Sequence, residues 1–161
     1  MKKLVIILTV VVVAIYFVFI HGGPLKSGFN FNGETYGYAK NMYGGAIKNY
    51  FYTPNGDDFN TATAFVQVLK FDDKIQKKDW ITNLNPLFNR YHLKPFEEDP
   101  FELAGRNQMA GFFYKSYAAP ISVDGKEHMA VFITGSTEKQ TEDSDSEIFD
   151  IINELKSIRF E

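Results

Sequence analysis

Three histidines, one run of alternating carboxylates and one acid-crowded loop carry most of the reactive chemistry in this 161-residue sequence. His21, His92 and His128 lie far apart. No H-x-x-H or H-E-x-x-H spacing joins them, so a zinc centre would need convergence in space. His92 follows a predicted helix and His128 sits in a predicted strand, positions that suit ordinary packed or exposed histidines. Asp143, Asp145 and Glu147 alternate in TEDSDSE and offer oxygens of the kind calcium takes. The run lacks the glycine and the twelve-residue frame of an EF-hand loop, and the start of a helix accounts for the same acids through dipole and capping. Glu97, Glu98, Asp99 and Glu102 fall in KPFEEDPFEL. Nothing there raises a carboxyl pKa for acid–base work, so Glu97, Glu98 and Glu102 are read as a contact surface for a basic partner. Serines such as Ser116, Ser122 and Ser136 stand outside any G-x-S-x-G pattern, and no G-x-G-x-x-G or Walker loop is present. With no cysteine, thiolate nucleophiles, disulfides, thiolate zinc sites and iron–sulfur clusters are excluded. The sequence therefore assigns no catalytic residue, no metal and no cofactor.

Aromatic residues supply the other candidate surface. Tyr36, Tyr38, Tyr43, Tyr50, Phe51 and Tyr52 cluster in what reads as one strand pair. Successive strand residues point to opposite faces, so at least one of Tyr50, Phe51 and Tyr52 faces away from the main core. Tyr50 and Tyr52 are the residues chosen for a partner or ligand platform, since Tyr combines contact area with a polar tip. The competing reading packs them beneath a helix.

The elements that would hold these residues read as follows. Tyr36 to Tyr43 and Ala46 to Thr53 are strands separated by Gly44-Gly45, and Thr53-Pro54-Asn55-Gly56 is a turn. Thr61 to Phe71 is apolar on both faces, with Phe65, Leu69 and Phe71 on one and Ala62, Ala64, Val66 and Val68 on the other. That pattern belongs to a central strand covered on both sides. Asp73 and Gln76 have capping-box spacing and open a predicted helix, in which Ile75, Ile81, Leu84, Phe88 and Tyr91 share a face. Pro86 should break or kink it, with Asn85 capping a second short helix. After a loop from Leu93 to Phe101, strands are predicted over Asn107 to Ala118 and Glu127 to Thr134, with Asp124-Gly125 as a hairpin turn. Ser144 and Glu147 form a second capping box before an apolar stripe of Ile148, Ile151, Ile152, Leu155 and Ile158. The order defines an α+β domain with a mainly antiparallel sheet flanked by helices.

In front of that domain, Leu4 to Ile20 is a seventeen-residue apolar run without charge, preceded by Lys2 and Lys3. A stretch apolar all round is read as a membrane helix, with the lysines keeping the N-terminus in the cytoplasm. Its span of ~25 Å is short for a bilayer, yet the run exceeds an ordinary signal peptide core. No A-x-A site follows. Residues 1–21 are thus expected to be an uncleaved anchor, the alternative being a cleaved signal and a secreted or periplasmic product. Residues 22–33, with four glycines and a proline, are expected to be a flexible tether, and 34–161 the extracytoplasmic domain. Removing Lys2 and Lys3 from 17 basic residues leaves 15 against 20 acidic, a balance of −5. Such a domain has no general attraction to nucleic acid.

From Tyr50 to Phe160 the pattern YFYTPNGDDFNTATAFVQVLKF, a helix containing Trp80, ELAGRNQMAGFFYK, a hairpin and a last helix ending in SIRF resembles the PsbP/Mog-like fold. The resemblance extends to small envelope proteins of the DcrB-like type, which also carry an export segment. It implies an interaction module and transfers no catalytic residue. The expected function is a membrane-tethered, extracytoplasmic protein-interaction module of the bacterial cell envelope with an envelope protein as partner. It predicts a contiguous apolar patch. The alternatives are a small envelope hydrolase, built around a residue such as His128 with a carboxylate, and a small-ligand carrier. A deep pocket of convergent titratable groups would mark the first, and an apolar cavity between helix and sheet the second.

Overall fold

A computed structural model describes residues 25–44 and 47–161; the predicted membrane segment 4–20 lies outside them. Among the described residues, no helix is long and apolar enough to cross a membrane. The strands are β1 (Gly28–Phe31), β2 (Glu34–Gly44), β3 (Ile47–Pro54), β4 (Ala64–Phe71), β5 (Lys94–Pro95), β6 (Leu103–Met109), β7 (Phe112–Val123) and β8 (Lys126–Ser136). The helices are α1 (Trp80–Tyr91) and α2 (Asp145–Ser157). One antiparallel sheet has the order β1-β2-β3-β4-β8-β7-β6-β5, so the chain makes an α+β fold.

β4 and β8 lie at the centre, and the two faces of the sheet have separate cores. Val66 and Val68 of β4 join Ile152, Leu155 and Ile158 of the α2 segment on one face. Leu69 and Phe71 join Trp80, Leu84, Phe88 and Tyr91 of α1 on the other. The two-faced apolarity of β4 thus corresponds to one helix on each side. α2 begins with the expected capping box, the Ser144 side chain and Glu147 each bonding the other's main chain.

Four expectations are corrected. Residues 28–31 of the expected tether are a strand, with Phe29 and Phe31 in the α2-side core and a hairpin turn at Asn32-Gly33. The C-terminus closes this edge, since the Glu161 amide donates to the Gly28 carbonyl at 3.0 Å. No helix starts at Asp73. The Asp72 carboxylate accepts from the Lys74 amide at 3.0 Å and makes a turn, so a 3-10 turn at Lys77–Asp79 precedes α1. Pro86 neither breaks α1 nor opens a second helix; the helix runs on from Trp80 to Tyr91. Pro86 and Thr82 are both exposed, so the carbonyl that Pro86 cannot serve faces water. The predicted strand 107–118 is a hairpin, β6 and β7 reversing at Ala110-Gly111 with φ of 52° and 83°.

Candidate functional site

A β-bulge sets the site. Tyr38 of β2 pairs with Tyr52, but the next paired residue, Lys40, faces Phe51 because Ala39 is extra. Without the bulge Lys40 would share the α2 face with Tyr38. With it, Lys40 and then Met42 lie beside Phe51 and Asn49, on the α1 side of the sheet. Phe65 and Gln67 of β4 continue this surface, with Gln67 paired to Phe51. Leu87, Arg90 and Tyr91 of α1 close it from above.

One further wall comes from the loop after β3. Asn55-Gly56 turns with both φ values positive, and Gly56 sits against Gly37 of β2, where a Cβ on Gly37 would come within 2.9 Å of the Gly56 nitrogen. The loop is then held by Thr53 Oγ1 donating to the Asp57 carbonyl at 2.6 Å and by the Asp58 carboxylate accepting from the Asn60 amide at 2.9 Å. These bonds carry Phe59 onto the sheet, with its ring 4.7 Å from Phe51 and 5.0 Å from Phe65 between centroids.

The result is a cavity of about 460 Å³ between α1 and the sheet, walled by Phe51, Phe59, Phe65, Leu87 and Tyr91. On its floor Gln67, buried among apolar neighbours, donates through Nε2 to Asn49 Oδ1 at 2.7 Å. Lys40 Nζ stands 3.6 Å above the Phe59 ring centre and Arg90 stacks 5.5 Å from Tyr91. Burial pushes the Tyr91 phenol up, against the smaller opposing effect of Arg90, so the wall stays uncharged at neutral pH. The seat of α1 is fixed at Gly105 of β6, where a Cβ would approach the His92 carbonyl oxygen to 2.6 Å. Asn107 Nδ2 donates to the Arg90 carbonyl at 2.6 Å and ties the same helix end.

A second groove of about 380 Å³ lies past that end, lined by His92, Lys94, Arg106, Tyr117, Asp143 and Ile148 among others. Here Arg106 pairs with Glu142 at 2.5 Å and donates to the Gln140 carbonyl at 3.1 Å. Asp143 takes both Lys115, at 2.5 Å, and the Tyr117 hydroxyl. Burial first, then the bond to Asp143, raises the Tyr117 pKa, so it remains a donor. The segment 140–143 is clasped to β6 and β7 by these contacts.

The residues singled out from sequence fall elsewhere. Tyr50 and Tyr52 are 4% and 0% exposed in the α2-side core, and the Tyr52 hydroxyl donates to the Lys26 carbonyl at 3.2 Å. They form no exposed platform; it is Phe51 between them that reaches the cavity. Glu102 is buried against Lys156, at 2.5 Å, so it is structural. Glu97 and Glu98 are exposed, and Glu97 borders a shallow groove with Asp145 and Ile148. His128 is 4% exposed, with Nδ1 unpartnered. Its burial, with Lys70 and Lys126 nearby, lowers its pKa to about 4, so it is neutral at physiological pH and lines neither concavity. Asp143 and Glu147 are engaged in the clasp and the capping box, and among the described residues no cluster of three metal-ligating side chains occurs. Gln67 was the readable signal for the cavity: one amide in a strand face otherwise made of Phe65, Leu69 and Phe71. Lys40 could not be read, because only the bulge turns it to that face. Comparison with known proteins finds no matching family model, curated protein or solved structure.

Proposed function

We propose that the domain is a non-catalytic binding module of the bacterial envelope that takes a small apolar-bodied ligand between α1 and the sheet. Residues 4–20 would hold it at the membrane and the fold would stand outside the cytoplasm. The observation that carries this reading is the 460 Å³ aromatic cavity with one amide pair on its floor. Ligand pockets have ~300–1,000 Å³, mostly apolar walls and few polar groups. The four large apolar residues exposed among the described residues support it by their scatter, for Met42, Ile81, Phe112 and Phe149 belong to four different elements. Of the readings drawn from sequence, the ligand carrier thus stands ahead of the protein-interaction module, and a hydrolase built on the neutral, buried His128 stands last. An envelope protein that delivers or receives the ligand remains part of the proposal, with exposed Glu97 and Glu98 as its contact. The antiparallel sheet between two helices is also what a PsbP/Mog-like kinship would call for.

The test is calorimetric titration of the full chain, in phosphatidylcholine nanodiscs, with 2-naphthylmethanol. Saturable one-to-one heat above that of empty nanodiscs is expected. Met42→Trp, which fills the cavity mouth from an exposed position, should abolish it. Linear, non-saturating heat with this alcohol and with its carboxylate counterpart alike would overturn the reading.

A further inference from the structure

Ten of the described residues line the aromatic cavity, and two of these, Lys40 and Arg90, are cations while none is acidic. This stands out in a chain whose net charge is −3. Elsewhere several exposed and half-buried cations pair with carboxylates, as in Lys26–Asp124, Lys77–Glu127, Arg106–Glu142 and Lys115–Asp143. At the cavity no carboxylate of a described residue pairs with Lys40 or Arg90, and both rest on aromatic faces instead. They come from different walls, Lys40 from β2 and Arg90 from α1, and both line the cavity. The bulge at Ala39 spends a sheet irregularity to place Lys40 there.

Resting on the binding reading above, we propose that the ligand is an organic carboxylate, its apolar body lying on Phe51, Phe59 and Phe65 and its anionic head held between Lys40 and Arg90. A cation stacked on a ring keeps its outward N–H groups free to donate, and a carboxylate can accept from both. Asn49 and Gln67 then supply the polar contact at depth. The same chemistry is offered by an aromatic acid and by a short acyl carboxylate, which share head and differ in body.

The full chain in phosphatidylcholine nanodiscs is titrated with 2-naphthoate and with 2-naphthylmethanol, which differ only in the charged head, and with octanoate, which replaces the rings by a chain. The expected result is 2-naphthoate at least about tenfold tighter than the alcohol at low salt, the margin shrinking as salt rises. Lys40→Gln and Arg90→Gln should each cut 2-naphthoate affinity several-fold and lower that of the alcohol much less, so the acid's margin shrinks, while Lys40→Arg keeps the preference and guards against a merely structural effect. Octanoate tighter or weaker than 2-naphthoate supports the carboxylate either way and identifies the body. If the alcohol binds as well as the acid, or if the acid's margin survives both Gln variants, the carboxylate is wrong while the ligand-binding reading stands. If no probe saturates, both fall.

Discussion

Two of the concavities at the C-terminal end of α1 handle charge differently. In the groove past His92, Arg106 pairs with Glu142, and Asp143 takes Lys115 from beside the groove, while Lys94 on its lining has no carboxylate partner among the described residues. In the cavity beneath Leu87, Arg90 and Tyr91, the cations lie on rings and no acid of the described residues answers them. The first arrangement engages its acids inside the protein and fastens a segment to the sheet. The second leaves its cations to whatever enters. Volume alone, about 380 against 460 Å³, does not separate the two; the pairing of the charges does.

Acid titration sets the baseline for any comparison of the two, through a residue that lines neither. Folding lowers the His128 pKa from 6.5 to about 4, by burial first and then by Lys70 and Lys126, against the weaker opposite pull of Asp124 and Asp73. A histidine that resists protonation in the fold costs nothing above pH 6.5, where both states are neutral. Below that the unfolded chain binds the proton first, so the contribution of this histidine to stability falls as pH drops from 6.5 to about 4 and then levels off. With each tenfold change in acid strength worth ~1.4 kcal/mol, the loss is about 3 kcal/mol. Urea melts at pH 7 and pH 4.5 should show most of that loss in the parent and little of it in His128→Asn. Equal losses in both would place the acid sensitivity elsewhere.

The clasp can be broken directly. Asp143→Ala strands the Lys115 ammonium, 13% exposed, and the buried Tyr117 hydroxyl at the same time. Breaking a fully buried pair costs ~3–5 kcal/mol; with Asp143 itself 17% exposed and water at hand, about 2 kcal/mol is expected. Thermal melts should report that loss, while the 2-naphthoate affinity of the cavity stays within about twofold, since additivity holds for sites without shared partners. Loss of cavity binding in this variant would show that the two regions are coupled through α1.

Much of this arrangement is written in local sequence. β4 announces both helices by being apolar on both faces, Asp124-Gly125 announces its hairpin, and Ser144 with Glu147 announces α2. Failures came where a residue acts against its type. Ala110 takes a positive φ that alanine disfavours, so the β6–β7 turn looked like unbroken strand. Glycines around Phe29 and Phe31 suggested a tether, although the alternation of those two phenylalanines was the trace of β1. The site suffered most. Alternation correctly sends Tyr50 and Tyr52 to one face and Phe51 to the other, but which face is open depends on where α2 packs. A bulge leaves no mark in composition, so Lys40 was assigned no role.

The cavity's own polar floor offers the smallest and most discriminating change. Gln67→Leu removes the Nε2 bond to Asn49 Oδ1, but Asn49 is only partly buried and water can replace the donor. The new leucine continues the apolar face of Phe65 and Leu69 at similar size. Stability should therefore change by less than about 1 kcal/mol, and an increase is as compatible as a decrease. Binding of 2-naphthoate should weaken several-fold, because the deep polar contact is gone while the rim cations remain. A residue kept for folding would give the reverse pattern, a loss above ~2 kcal/mol with binding unaltered. Chemical denaturation and calorimetry on the same sample thus decide whether this amide, like the acids of the clasp, serves the fold, or whether it serves the ligand.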